Sequence, residues 1–265
     1  MMLNELAKQD RERSQVLESA KIHAVLAATA YEDPTLAKPI YKSMGFTGLK
    51  FFEHDGAQAY AVWNKEHIVL CFRGTEPTEI SDLKADLNAW PDRGEVGGLV
   101  HNGFQNEVEK IWKDVLKTID SKSHASKKLT MCGHSLGGAM ATVAASRQKD
   151  RVHSLYTFGS PRVGNKEFVS AFSDVKHYRF VNNNDIVPTV PFAWMGYRHH
   201  GECMYFNYKG YLKKFTYWED FIDGWKGKWR ALQKGQVFDG LYDHGANYYC
   251  LYTASNYDQE KDTKG

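Results

Sequence analysis

Residues 128–146 read Lys-Leu-Thr-Met-Cys-Gly-His-Ser-Leu-Gly-Gly-Ala-Met-Ala-Thr-Val-Ala-Ala-Ser. The first five residues are a short apolar run of strand type. From Ala139 to Ser146 the small residues of a tightly packed helix follow. Between them lies Gly133-His134-Ser135-Leu136-Gly137, the pattern G-x-S-x-G. The spacing has a steric reason. A serine on a sharp turn from strand to helix is held in a strained backbone conformation, and glycines two residues to either side avoid side-chain clashes. The turn lifts the hydroxyl above the sheet, near the positive end of the helix. It also aims the Leu136 N–H at a developing oxyanion. The pentapeptide alone is common and also fits a glycine-rich structural turn. The strand before it and the helix after it favour a nucleophile at Ser135.

Outward from this turn, strands and helices alternate. Residues 57–63 (AQAYAVW) and 67–72 (HIVLCF) read as a hairpin across Asn64-Lys65-Glu66. Val16, Leu17, Ala20, Ala24, Ala27, Ala28 and Tyr31 recur at helical spacing until Asp33-Pro34 stops the pattern. Phe104, Val108, Ile111, Trp112, Val115 and Ile119 form a second helical stripe. Residues 154–158 (SLYTF) and 177–181 (HYRFV) are two further strands. Continuous apolar strands alternating with helices predict an α/β fold with a mainly parallel central sheet covered on both faces. The 265 residues carry no repeat or low-complexity linker, so one domain over 1–265 is expected, with a polar flexible tail from about 255.

Composition removes several classes of function. The net charge of +2 gives no electrostatic footprint for nucleic acid. Cys71, Cys132, Cys203 and Cys250 make no metal-binding pattern, so no metal site is expected. Cys71 and Cys132 fall in buried strands, and a Cys203–Cys250 disulfide stays open. The start, MMLNELAKQDRERSQ, lacks a basic segment followed by an apolar one, and no run approaches the roughly 18 apolar residues of a membrane span. A soluble chain is expected, either cytoplasmic or exported by a route that reads no N-terminal signal. No feature of the sequence sets an oligomeric state.

CGHSLGGAMA resembles the nucleophile segment of the class 3 lipases, the fungal-type triacylglycerol lipase family. Further segments match in order: FRGTE (72–76), DLKADL (82–87), VHNGF (100–104), TFGSPRVGN (157–165), NNNDIVP (182–188) and YDHGANYY (242–249). The resemblance covers roughly residues 15 to 252. It implies the α/β-hydrolase fold, a lid-like segment, and a catalytic set of Ser135, Asp185 and His244. The chain order Ser, Asp, His is that of such folds. Asp185 follows a strand, where a carboxylate is well placed for a site; its alternative role is a turn residue capping its own loop. On sequence order alone His199 and His200 compete with His244 as the base, and the resemblance selects His244. His101 reads as structural. Thr75, after FRG, is the matching position for the second oxyanion donor beside Leu136.

The implied activity is hydrolysis of lipid esters through an acyl-enzyme, without cofactor. The family also holds phospholipases A1 and feruloyl-type esterases, so these remain alternatives. A catalytically silent lipid-binding scaffold is the contrasting class. Two segments bear on the substrate. Residues 76–88 (EPTEISDLKADLN) occupy the lid position yet are acidic, with only Ile80, Leu83 and Leu87 to form an apolar face. Trp218, Phe221, Ile222, Trp225, Trp229 and Leu232 share one helical face, which either packs on the core, walls an acyl pocket or meets a membrane surface. The partner is therefore a lipid or other ester, with transient contact to a lipid surface.

Overall fold

The computed structural model describes residues 2–74, 91–183, 185–214 and 244–262. Two helices come first, α1 (Met2–Thr29) and α2 (Pro34–Ser43). Strands β1 (Gly48–His54), β2 (Ala57–Trp63) and β3 (His67–Phe72) follow. Short strands β4 (Pro91–Arg93) and β5 (Leu99–His101) lead into α3 (Asn102–Ile119). Then come β6 (Lys128–His134), α4 (Leu136–Arg147), β7 (Val152–Phe158), β8 (Gly164–Asn165), α5 (Lys166–Ser170) and β9 (His177–Asn182). The chain closes with β10 (Tyr197–Arg198), β11 (Glu202–Phe206), β12 (Leu212–Lys214) and α6 (Ala246–Asp262).

Eight strands form the main sheet in the order β1-β2-β3-β6-β7-β9-β11-β12. The five from β3 to β11 run parallel, and antiparallel hairpins extend both edges. A small sheet, β10-β8-β5-β4, lies apart. The residues of β3 explain the layering. Ile68, Leu70 and Phe72 enter one core with α3 and α4, while Val69 and Cys71 enter the other with α1, α2 and α6. Successive strand residues face opposite ways, so an unbroken apolar run requires cover on both faces. The two-sided parallel sheet expected from sequence is therefore present.

Three expectations need correction or extension. The segment expected as a flexible polar tail from about 255 continues α6 to Asp262, with Asn256 buried and Glu260 paired to Arg13 of α1 at 2.7 Å. Its buried position is polar, so no apolar stripe marked it. Strand β1 was missed because Lys50, Glu53 and His54 lie on an edge strand that needs cover on one face only. Cys203 and Cys250 are free thiols, as are the buried Cys71 and Cys132. The lid-position segment 76–88 and the aromatic stripe 218–232 lie outside the described residues.

Candidate active site

Ser135 sits between β6 and α4 with φ 57° and ψ −128°, a left-handed conformation costly for a residue with a Cβ. The turn is tight enough to exclude side chains around it. A Cβ on Gly133 would lie 2.2 Å from the Gly137 carbonyl oxygen, and one on Gly137 would lie 2.2 Å from the Phe72 carbonyl oxygen. Both obstacles are backbone, so the glycines of the motif are required by contact. Ten residues of α4, from Gly137 to Ser146, are buried, which suits a helix of small residues packed on all sides. Leu136 is the first residue of α4, so its N–H has no acceptor within the helix.

Asp185 follows β9 and is fully enclosed, as is His244 just before α6. The two lie 59 positions apart in sequence, and His244 Nδ1 stands 2.9 Å from Asp185 Oδ1 and 2.8 Å from Oδ2. The carboxylate accepts two further bonds, from Val187 N–H at 2.9 Å and from the Tyr249 hydroxyl at 2.5 Å. Because the carboxylate accepts at Nδ1, the proton resides there and His244 Nε2 carries a lone pair. Among the described residues neither His244 Nε2 nor the buried Ser135 Oγ has a hydrogen-bond partner. Gly159, at φ 59°, lets the chain pass beneath the pair: a Cβ there would lie 2.7 Å from Asp185 Oδ2 and 2.9 Å from His244 Nδ1.

His134 joins this pair to the serine turn. Its Nε2 donates to the His244 carbonyl at 2.5 Å, which leaves Nδ1 to accept the Tyr31 hydroxyl at 2.8 Å. Burial, and then the neighbouring His244, hold His134 well below the usual imidazole range, so it stays neutral. From sequence, no partner was assigned to His134, and both Tyr31 and Tyr249 were missed. Only the alternation of β6, which turns His134 to the face opposite Gly133, hinted at its direction.

The competing bases are engaged elsewhere. His199 Nε2 bonds the Pro188 carbonyl at 2.8 Å, and His200 bonds His177 and the Phe172 carbonyl. His101 is buried and stacks on Phe104, 4.1 Å between ring centres. Thr75 lies outside the described residues, but Gly74 just before it abuts the serine turn. A Cβ on Gly74 would lie 2.6 Å from the His134 carbonyl oxygen and 3.3 Å from Ser135 Cβ. Among the described residues no three His, Cys, Asp or Glu side chains are grouped to hold a metal. No described helix is long and apolar enough to cross a membrane.

A parallel sheet whose central strand ends in a strained serine, opening a buried helix, defines an α/β-hydrolase. Residues 69–195 match the Lipase (class 3) family. The toxin TseL of Vibrio cholerae serotype O1 is 40% identical over 126 residues, 46% of this chain and 19% of that protein. A lipase of Rhizomucor miehei is 34% identical over 152 residues, 52% of this chain and 41% of that one. The structure of a Rhizomucor miehei lipase propeptide complex superposes with a TM-score of 0.62 at 25% identity, covering 72% of this chain and 67% of that chain. Over residues 69–195 the chain is similar to the class 3 lipase family, and it spans less than half the length of those two curated relatives.

Proposed function

We propose that this chain, as one α/β-hydrolase domain, hydrolyses carboxylic esters of lipids, with acylglycerols as the leading substrate class. The observation that carries the reading is the clamp of Asp185 on His244 Nδ1, which leaves Nε2 as a buried base with no partner among the described residues. Ser135, also without a partner among them, stands one residue from the His134 side chain that bonds the His244 carbonyl.

In this reading His244 Nε2 takes the proton of Ser135 as Oγ attacks the ester carbonyl carbon. The carbonyl oxygen gains the negative charge and accepts the Leu136 N–H, with the Thr75 N–H as the second donor. Each such donor contributes about 3 kcal/mol to the transition state. His244 then protonates the leaving alcohol, and an acyl-Ser135 ester remains. Water, deprotonated by His244, attacks the acyl carbon, and His244 returns that proton to Ser135 Oγ as the carboxylic acid leaves. Asp185 stays ionised and stabilises the imidazolium through its Nδ1 bond. No cofactor enters the cycle.

The family match and the lipase relatives support a lipid ester over a short soluble one. Ser135→Ala is expected to abolish turnover of p-nitrophenyl esters and labelling by a fluorophosphonate. Near-wild-type turnover in that variant overturns the mechanism. A profile over triacylglycerols, phospholipids and short esters tests the substrate class, and a preference for phospholipids would move the reading to a phospholipase A1.

A further inference from the structure

The loop after Asp185 has a property that the chemistry above does not use. From Ile186 to Tyr197 (IVPTVPFAWMGY) no side chain is charged. Within it Phe192, Ala193, Trp194, Met195 and Gly196 are all exposed. Trp194 is 83% exposed, the highest among the described large hydrophobic residues, and Phe192 is 48% exposed. Their rings stack in water at 6.0 Å with 14° between planes. Exposed single apolar residues are ordinary, but a Trp and a Phe together at the tip of one turn are not.

The tip is held in place. Arg162 donates its main-chain N–H to the Val190 carbonyl at 2.8 Å and its guanidinium to the Thr189 and Pro191 carbonyls. Arg198 donates to the Ala193 and Tyr197 carbonyls, both at 2.8 Å. These bonds fix the backbone of the turn, so ordering it on a surface costs little. They also fix a cation beside the two rings: Arg198 is exposed, and its bonds are to carbonyls rather than to a carboxylate.

We propose that the Phe192–Trp194 turn is a lipid-surface anchor. Its stacked rings enter the boundary between headgroups and acyl chains of an anionic lipid layer, with Arg198 at the level of the phosphates. Aromatic rings favour that boundary because one edge remains near water while the body is apolar. Charge complementarity sets the preference for anionic lipid. The turn lies on the loop that leaves Asp185, so docking here brings the candidate site to the surface holding its substrate. A second copy of the chain fits less well, since a stable interface requires on the order of 1,000 Å² and 20–30 residues a side. The anchor's purpose rests on the lipid-ester reading, while its binding does not.

The test measures binding of the full chain in a Ser135→Ala background, where no ester is consumed. The probe is sucrose-loaded vesicles of phosphatidylcholine with phosphatidylglycerol, in a sedimentation assay. The parent is expected to partition to the vesicles, and adding Phe192→Ala with Trp194→Ala to weaken partition about tenfold or more. Arg198→Gln is expected to erase the preference for phosphatidylglycerol over pure phosphatidylcholine. In the Ser135 form, the double aromatic variant is expected to hydrolyse p-nitrophenyl acetate within about twofold of wild type, with an unchanged melting curve. Absent partition of the parent, or unchanged partition of the aromatic variant, overturns the anchor. So does a variant whose soluble-ester activity falls in step with its binding, or a dimer in solution that the variant dissolves. Trp194-dependent binding in a chain with no esterase activity keeps the anchor and overturns the hydrolase reading alone.

Discussion

Tyr249 occupies a demanding position for one hydroxyl. It donates to Asp185 Oδ2 at 2.5 Å and accepts the Asn182 N–H at 3.0 Å, so one phenol oxygen ties the carboxylate to the end of β9. The bonds from Val187 N–H and His244 Nδ1 complete the described donors to its two oxygens. Tyr249→Phe removes a hydrogen bond to an ionised group, for which the ordinary cost is about 1.5–3 kcal/mol. The expected result is a loss of that size in urea unfolding and a kcat on p-nitrophenyl butyrate lowered about tenfold, with KM little changed. A full kcat with the stability loss would assign the phenol to structure alone. Neither Tyr249 nor His134 was legible as a partner. Sequence order offered Asp185 and His244 as a pair, but their approach depends on β9 and α6 meeting across 59 positions, and no spacing rule encodes that contact.

The strands and helices that bury unbroken apolar runs were read from sequence with small boundary errors, since burial on two faces leaves a strong pattern. Elements that bury polar groups were not. Around β9 a row of neutral imidazoles runs through the interior. His200 Nε2 donates to the Phe172 carbonyl at 3.0 Å, so its Nδ1 accepts from His177 Nδ1–H at 3.0 Å, and His177 Nε2 accepts the Thr157 hydroxyl at 2.8 Å. On the other face His23 donates to the Ser19 carbonyl at 2.7 Å and stacks on Tyr156. Each bond in these chains is made by the neutral ring, and burial penalises the charged one. Burial lowers His23 and His200 to about 4 and His177 well below its usual value. The sign follows from linkage. Below pH 6.5 the unfolded chain binds protons that the folded chain refuses, so stability is full above that pH and falls towards pH 4. The loss is on the order of 3 kcal/mol for each of His23 and His200. Urea midpoints at pH 7.5 and 4.5 check it, and equal midpoints would contradict neutral burial.

At the scale of the molecule, the first and last helices meet. Helix α1 packs on α6 and on β6 and β7, so the N-terminal region, the serine strand and the segment that follows His244 share one core. Leu17 is wholly buried there, and the chain ends of the pair are joined by Arg13–Glu260 and by Lys21–Asp258. The second of these is exposed, so it contributes little. The core contact dominates. Leu17→Ala removes methyl groups that the sheet cannot close over, at a cost of about 3 kcal/mol. In a chain of this size that lowers Tm by roughly 10 °C. Leu17 is not among the hydrogen-bond partners of Asp185 or His244, so kcat at 25 °C is expected to hold while the half-life of activity on warming shortens together with the melting curve. This separates the helix pair from Tyr249, whose loss acts on kcat at every temperature. A kcat that falls at 25 °C in a folded Leu17→Ala variant would mean that α1 sets the placement of His244 through α6, rather than only holding the two helices together.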